Sequence, residues 1–254
     1  MLSRPFIALF ITVFVATLGI SMVSPLLPVY AETMGASGVE LGLAFSAFAI
    51  VQAIFGPITG RLSDRFPRKP FIMAGLLVYL VAALGYLTAD TVYQVIGFRA
   101  FSGLGTSMTF SVARAYVGDL TPPGHEGRWF GVFAAADLLG FGTGPIVAGT
   151  IREGVGFDAV FITMAALMAT AAIIVLFWLP RRPPEHVARR LRESAANLPF
   201  RAALQDRLVI AMTAHAAFVS LSFGATFAFL GLRLERDIGV SPTLIGIGFA
   251  TQDL

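Results

Sequence analysis

The sequence predicts an all-α membrane protein, with a six-helix N-terminal bundle followed by the start of a second bundle. Three observations carry this prediction. Of 254 residues, 56% are hydrophobic and 13% charged, with a mean hydropathy of +0.79, which is more apolar surface than a water-soluble chain of this size can cover. The apolar residues fall into runs of roughly 20 or more, the length that crosses a hydrocarbon core. Finally, residues 35–45 (GASGVELGLAF) align without a gap on residues 239–249 (GVSPTLIGIGF), with Gly35, Ser37, Gly42 and Phe45 identical. The match falls where six spans and a linker would restart a second half.

Span one covers residues 5–31, after Ser3 and Arg4. It is too long for a signal-peptide core, although Val29-Tyr30-Ala31 has the form of a cleavage site. Residues 32–38 make a short outer loop and span two covers 39–61. A charged turn, GRLSDRFPRKPF at 60–71, leads into span three at 70–89. Asp90 and Thr91 form a tight outer turn. Span four covers 92–118 and carries Arg99 and Arg114. Residues 119–127 (DLTPPGHEG) are an inner loop whose paired prolines stop the helix. Spans five and six cover 128–151 and 159–179, which completes an N-terminal bundle at 1–180.

Residues 181–207 have no spanning hydrophobicity and carry Arg181, Arg182, Arg189, Arg190, Arg192, Arg201 and Arg207. This is the predicted cytoplasmic linker. Val187, Leu191, Ala195 and Leu198 recur near helical spacing, so it is read as a basic amphipathic helix on the inner leaflet rather than a calmodulin-like or nucleic-acid site. Residues 208–254 begin the second bundle, with span seven at 208–232 and an eighth starting near Thr243. On the repeat offset the chain is expected to stop within span eight of a twelve-span whole.

Charge tests this topology. Arg4, Arg61, Arg65, Arg68, Lys69, Arg128 and the linker arginines fall on one side, against Arg152, Arg233 and Arg236 on the other. Basic residues are retained in the cytoplasm, which predicts a multi-pass protein of the inner or plasma membrane with a cytoplasmic N-terminus. The net charge of +3 and pI near 9.7 therefore report topology, not a nucleic-acid face. No cysteine is present, which excludes disulfides and thiolate chemistry. His125, His186 and His215 show no metal-ligand spacing. No paired carboxylates, nucleophile with base, metal cluster or phosphate loop stands at workable spacing, so no catalytic residue, metal or cofactor is assigned and an enzyme is not expected.

The string Gly60-x-Leu62-Ser63-Asp64-Arg65-x-x-Arg68-Lys69 between spans two and three resembles the signature loop of the major facilitator superfamily of secondary transporters. Pro67 stands where the pattern has Gly, and should stiffen that corner. Arg99-Ala100-Phe101-Ser102-Gly103-Leu104-Gly105 resembles the family's second motif. An ionised Arg in hydrocarbon must line a wet cavity or find partners, so Arg99 is either a cavity residue or one bonded to neighbouring carbonyls. Gly140 to Gly149 (GFGTGPIVAG) resembles the antiporter motif, with Ala148 replacing a glycine. Gly140, Gly144 and Ala148 make a smooth stripe for a neighbouring helix, and Pro145 is a candidate hinge.

The resemblance implies a transporter of the drug:proton antiporter branch, exporting small amphipathic molecules by alternating access, with the proton as coupling ion and no other cofactor. Proton-coupled uptake of a sugar or organic acid, and a truncated non-transporting scaffold, remain the alternatives. The implied partners are the lipid bilayer, a small-molecule substrate and the proton, with no nucleic acid. The resemblance also implies an inner-gate charge relay of Gly60, Asp64, Arg65, Arg68, Asp119 and Arg128.

One acid lies clearly inside a span. Asp137 follows Arg128 by nine residues, about 14 Å at 1.5 Å per residue, and stands seven residues before Gly144, on the face of the glycine stripe. Arg114 lies about 6 Å from the inner end of span four and Arg99 about 28 Å from it, which makes Arg114 the nearer partner. A carboxylate whose pairing changes between states can carry a proton, while one permanently paired only fixes packing; both readings of Asp137 stand. His215 and the phenylalanines 45, 48 and 55 are expected to pack rather than bind.

Overall fold

A computed structural model describes residues 3–180 and 233–252, with isolated positions between them. The helices are α1 (Arg4–Thr33), α2 (Gly38–Arg65), α3 (Arg68–Leu87), α4 (Val92–Thr106), α5 (Val112–Leu120), α6 (Glu126–Gly154), α7 (Phe157–Trp178) and α8 (Pro242–Gln252). Between α4 and α5 a π-helical turn, Ser107–Ser111, keeps the chain helical. No strand occurs among the described residues. The linker at 181–206, with its proposed amphipathic helix, lies outside them, as do His215 and most of span seven.

Local chemistry explains the ends. Pro5 sits in the first turn of α1, where no donor is required. At the start of α2, Ser37 and Glu40 form a reciprocal capping box: the Ser37 amide donates to Glu40 Oε2 at 2.8 Å and the Glu40 amide to Ser37 Oγ at 3.4 Å. Between α2 and α3 only Phe66 and Pro67 are non-helical, and Pro67 (φ −54°, ψ 133°) directly precedes α3. No positive φ is needed at this corner, so a proline serves where glycine was expected. Two sequence expectations are corrected here. Asp64 and Arg65 belong to the last turn of α2, and α3 begins at Arg68 rather than Pro70, because extended backbone at two residues suffices to reverse the chain.

Among the described residues, five helices are long and apolar enough to cross a membrane: α1, α2, α3, α6 and α7. The fourth expected span is built instead from α4, the π turn and α5, which together cover residues 92–120. α1 is the most buried of the five and packs against α6 and α7, α3 against α4 and α7, and α2 against α4. At one end of the core Phe6 meets Trp129 edge-on at 4.6 Å; at the other, Phe161 lies 4.9 Å from Tyr30 and 5.3 Å from Tyr86. The Tyr30 hydroxyl donates to the Tyr86 carbonyl at 2.7 Å, which ties the ends of α1 and α3. Outward faces carry exposed apolar residues such as Ile50, Ile54 and Ile58 on α2 and Ile173 and Phe177 on α7, the surface that a bilayer solvates.

Candidate functional site

The charged turn builds the first part of the site. Arg68, at the first position of α3, is 7% exposed and bonds three side chains. Its Nε and one terminal nitrogen engage Asp119 at the end of α5, the second nitrogen bonding Asp119 Oδ1 at 3.2 Å and also Asp64 Oδ1 at 3.0 Å. The other terminal nitrogen donates to Ser63 Oγ at 2.8 Å, and Ser63 in turn donates to the Gly60 carbonyl at 2.7 Å. Asp119 is 9% exposed and Asp64 54%, so the pair buried away from water is Arg68–Asp119. Gly60 thus joins through its backbone. Arg65 and Arg128 do not join: both are exposed and form no ion pair with another described residue. The neighbouring Lys69 Nζ donates to the carbonyls of Leu176 (2.7 Å) and Leu179 (2.6 Å), closing the last turn of α7.

The second part lies deeper. Asp137 on α6 receives a hydrogen bond from Thr17 Oγ1 on α1 at 2.8 Å, to Oδ1, and an ion pair from Arg114 on α5 at 3.3 Å, to Oδ2. Arg114 is therefore the partner, as its depth predicts. The carboxylate is one-third exposed and Arg114 more than half, so the pair faces open space beside the bundle instead of closed core. Arg99 is separate. It is 3% exposed, and its guanidinium lies over the rings of Phe48 (4.5 Å) and Phe45 (5.3 Å). Its Nε and one terminal nitrogen have no acceptor among the described residues, and the contacts that hold the guanidinium include these cation–π faces.

The glycine stripe decides how closely α6 approaches α1. A Cβ on Gly140 would lie 2.7 Å from the Phe14 carbonyl oxygen, and one on Gly144 2.6 Å from that of Leu18. Ser21 Oγ on α1 donates to the Gly140 carbonyl at 3.1 Å across the contact. Asp137 shares this face, since its partner Thr17 also lies on α1. Gly149 and Pro145 lean instead on α8. α6 remains helical through Pro145.

The family model of the Major Facilitator Superfamily matches residues 9–251. The chain belongs to this superfamily. Among curated relatives it is 33% identical over 173 residues to an uncharacterized MFS-type transporter of Methanocaldococcus jannaschii, covering 68% of this chain and 45% of that one. It is 34% identical over 174 residues to multidrug resistance protein 2 of Bacillus subtilis, covering 68% of this chain and 43% of that one. The chain thus spans under half the length of these relatives. A bacterial homolog of the human lysosomal transporter Spinster, solved in an inward-facing and occupied conformation, superposes with a TM-score of 0.78 at 18% identity, over 98% of this chain and 57% of that one. That likeness shows the all-helical fold.

Sequence reasoning missed Thr17, Ser63 and the ring partners of Arg99. Ser63 lies within the signature string and was legible as a donor one turn from Gly60. Thr17 is one hydroxyl among many in α1, and nothing local marks it. The π turn was also missed, because SMTFS carries no helix-breaking residue. Its cause is tertiary: Gly75 on α3 presses on the Gly105 carbonyl and the Thr109 amide (2.6 and 2.8 Å from an added Cβ), while Thr59 Oγ1 on α2 lies 3.2 Å from the Ser107 carbonyl.

Proposed function

We propose that the whole protein is a secondary active transporter that exports small amphipathic molecules by alternating access, driven by the proton gradient. The observation that carries this reading is Asp137, a carboxylate inside a span, one-third exposed, held by one cation and one hydroxyl from two other helices. Helix movement can change such a pairing. Losing a cation raises a carboxylate's affinity for a proton, and the cation's return lowers it. The sliding surface is at hand, because α6 meets α1 along glycines directly beside Asp137. Arg68 with Asp64 and Asp119 forms the first bundle's face of the cytoplasmic gate, from which the second bundle must part when the cavity faces inward. The charged turn and the N-terminus lie on the cytoplasmic side of the inner or plasma membrane. Export rather than uptake is supported by the antiporter-type string at 140–149 and by likeness to a multidrug resistance protein.

The test is flux in proteoliposomes with an imposed pH gradient and a panel of dyes, drugs and metabolites. Accumulation that follows an opposed proton gradient supports antiport. Accumulation with co-moving protons overturns export in favour of uptake, and no flux of any kind overturns the transporter reading.

A further inference from the structure

At the end of the molecule opposite the charged turn, contacts join residues before the undescribed segment to residues after it. Arg152, in the last turn of α6, forms a bidentate pair with Glu235: one terminal nitrogen lies 2.7 Å from Oε2 and the other 2.5 Å from Oε1. Both partners are mostly buried, at 14% and 26% exposure. The guanidinium also stacks on Phe157 at 4.7 Å, which holds it in place from the α7 side. Beside it, Thr243 donates to Glu153, and Arg236 pairs with Glu32 at the end of α1 (3.3 Å). Beneath these polar contacts the backbones of α6 and α8 touch. An added Cβ on Gly149 would lie 2.8 Å from the Pro242 carbonyl carbon, and one on Gly246 2.7 Å from that of Pro145.

We infer that the Arg152–Glu235 pair is an outer latch, whose making and breaking sets how often the face opposite the charged turn opens. Three features point to it. The Arg68 cluster lies wholly within the first bundle, so it cannot by itself hold the two sequence halves together. The Arg152 pair does join them. A bidentate, partly desolvated arginine–carboxylate pair is stronger and more directional than an exposed one. Finally, the Gly149–Gly246 crossing supplies smooth surfaces with little to grip, so the helices can part once the pair is broken. The inference rests on the alternating-access reading for its purpose, but its geometry stands apart from any substrate.

Ile245, 6% exposed on α8 behind this contact, gives a probe. A single cysteine placed there in the full-length protein, on a background without other cysteines, is labelled with a membrane-impermeant maleimide in intact membranes. E235Q, which keeps shape but loses the charge, is expected to label about ten times faster, the change given by ~1.4 kcal/mol of lost closed-state preference. The exchange R152E/E235R is expected to return labelling towards the parent rate. Equal rates in E235Q and the parent overturn the latch, as does a fast rate that the exchange leaves unchanged. The expected labelling in a protein that moves no substrate keeps the latch and overturns the export reading. Reactivity only from the cytoplasmic side keeps the latch and overturns the assigned orientation.

Discussion

Thr17 and Asp137, 120 residues apart, are joined by a 2.8 Å hydrogen bond across the glycine seam between α1 and α6. The hydroxyl takes one carboxylate oxygen and Arg114 takes the other, so two helices report to a single acid. Asp137→Asn keeps shape and hydrogen bonding but cannot titrate. Proton-driven accumulation should be abolished while downhill exchange and membrane insertion persist; the check is flux with and without a pH gradient. Wild-type accumulation in that variant would leave Asp137 a packing residue.

Thr17→Val is nearly isosteric and removes only the donor. Loss of one such hydrogen bond costs about 1 kcal/mol, so thermal stability in detergent should fall modestly while transport continues. A large loss of accumulation in Thr17→Val would mean that the hydroxyl positions the carboxylate for coupling.

The two acids on Arg68 should differ sharply. Asp119 is buried with it and Asp64 is half in solvent. Removing a buried partner strands a buried charge at about 3–5 kcal/mol, whereas an exposed pair contributes about 0–1 kcal/mol. Asp119→Asn should therefore destabilise the protein strongly and Asp64→Asn hardly at all, as read by thermal denaturation. Under the gating role both should shift the access equilibrium, measured by labelling of a cysteine at the cytoplasmic mouth.

Gly144→Ala should damage the bundle, since its new methyl would meet Leu18 and Ser21 on α1. Overpacking of this kind costs about 1–3 kcal/mol. Gly131→Ala, on the same helix with nothing within 4 Å, should be neutral or stabilising by up to about 1 kcal/mol. Folded yield and melting temperature compare them directly.

The π turn carries one residue more than an α-helical stretch of the same rotation, so deleting Met108 should convert it to α-helix and leave α5 facing as before, with Arg114 beside Asp137 and Asp119 beside Arg68. Inserting an alanine between Ala113 and Arg114 lacks that compensation and should rotate Arg114 and Asp119 by about 100° away from their partners. Thermal denaturation compares the two: the insertion should melt well below the deletion, and equal melting temperatures would show that the register of α5 does not matter.

The contrast between what sequence showed and what it hid follows from distance along the chain. Span positions, the seam of Gly140 and Gly144, and the Arg114–Asp137 depth match all rest on periodicity and rise per residue, which are local quantities. Arg65 and Arg128 shared a motif or a loop end with Asp64 and Asp119 yet stay apart from them, because one position on a helix is a rotation of about 100°. The ring faces over Arg99 depend likewise on the rotation of α2 against α4. The π turn depends on Gly75 and Thr59, which belong to other helices.

Lys69 closes the last turn of α7 through Leu176 and Leu179, and its backbone neighbour Arg68 carries both acids of the charged cluster. One peptide unit thus connects two anchors, one on α5 and one on α7. The tip of α2, the foot of α5 and the last turn of α7 are tied through two adjacent residues, which leaves almost no slack for one to shift without the others.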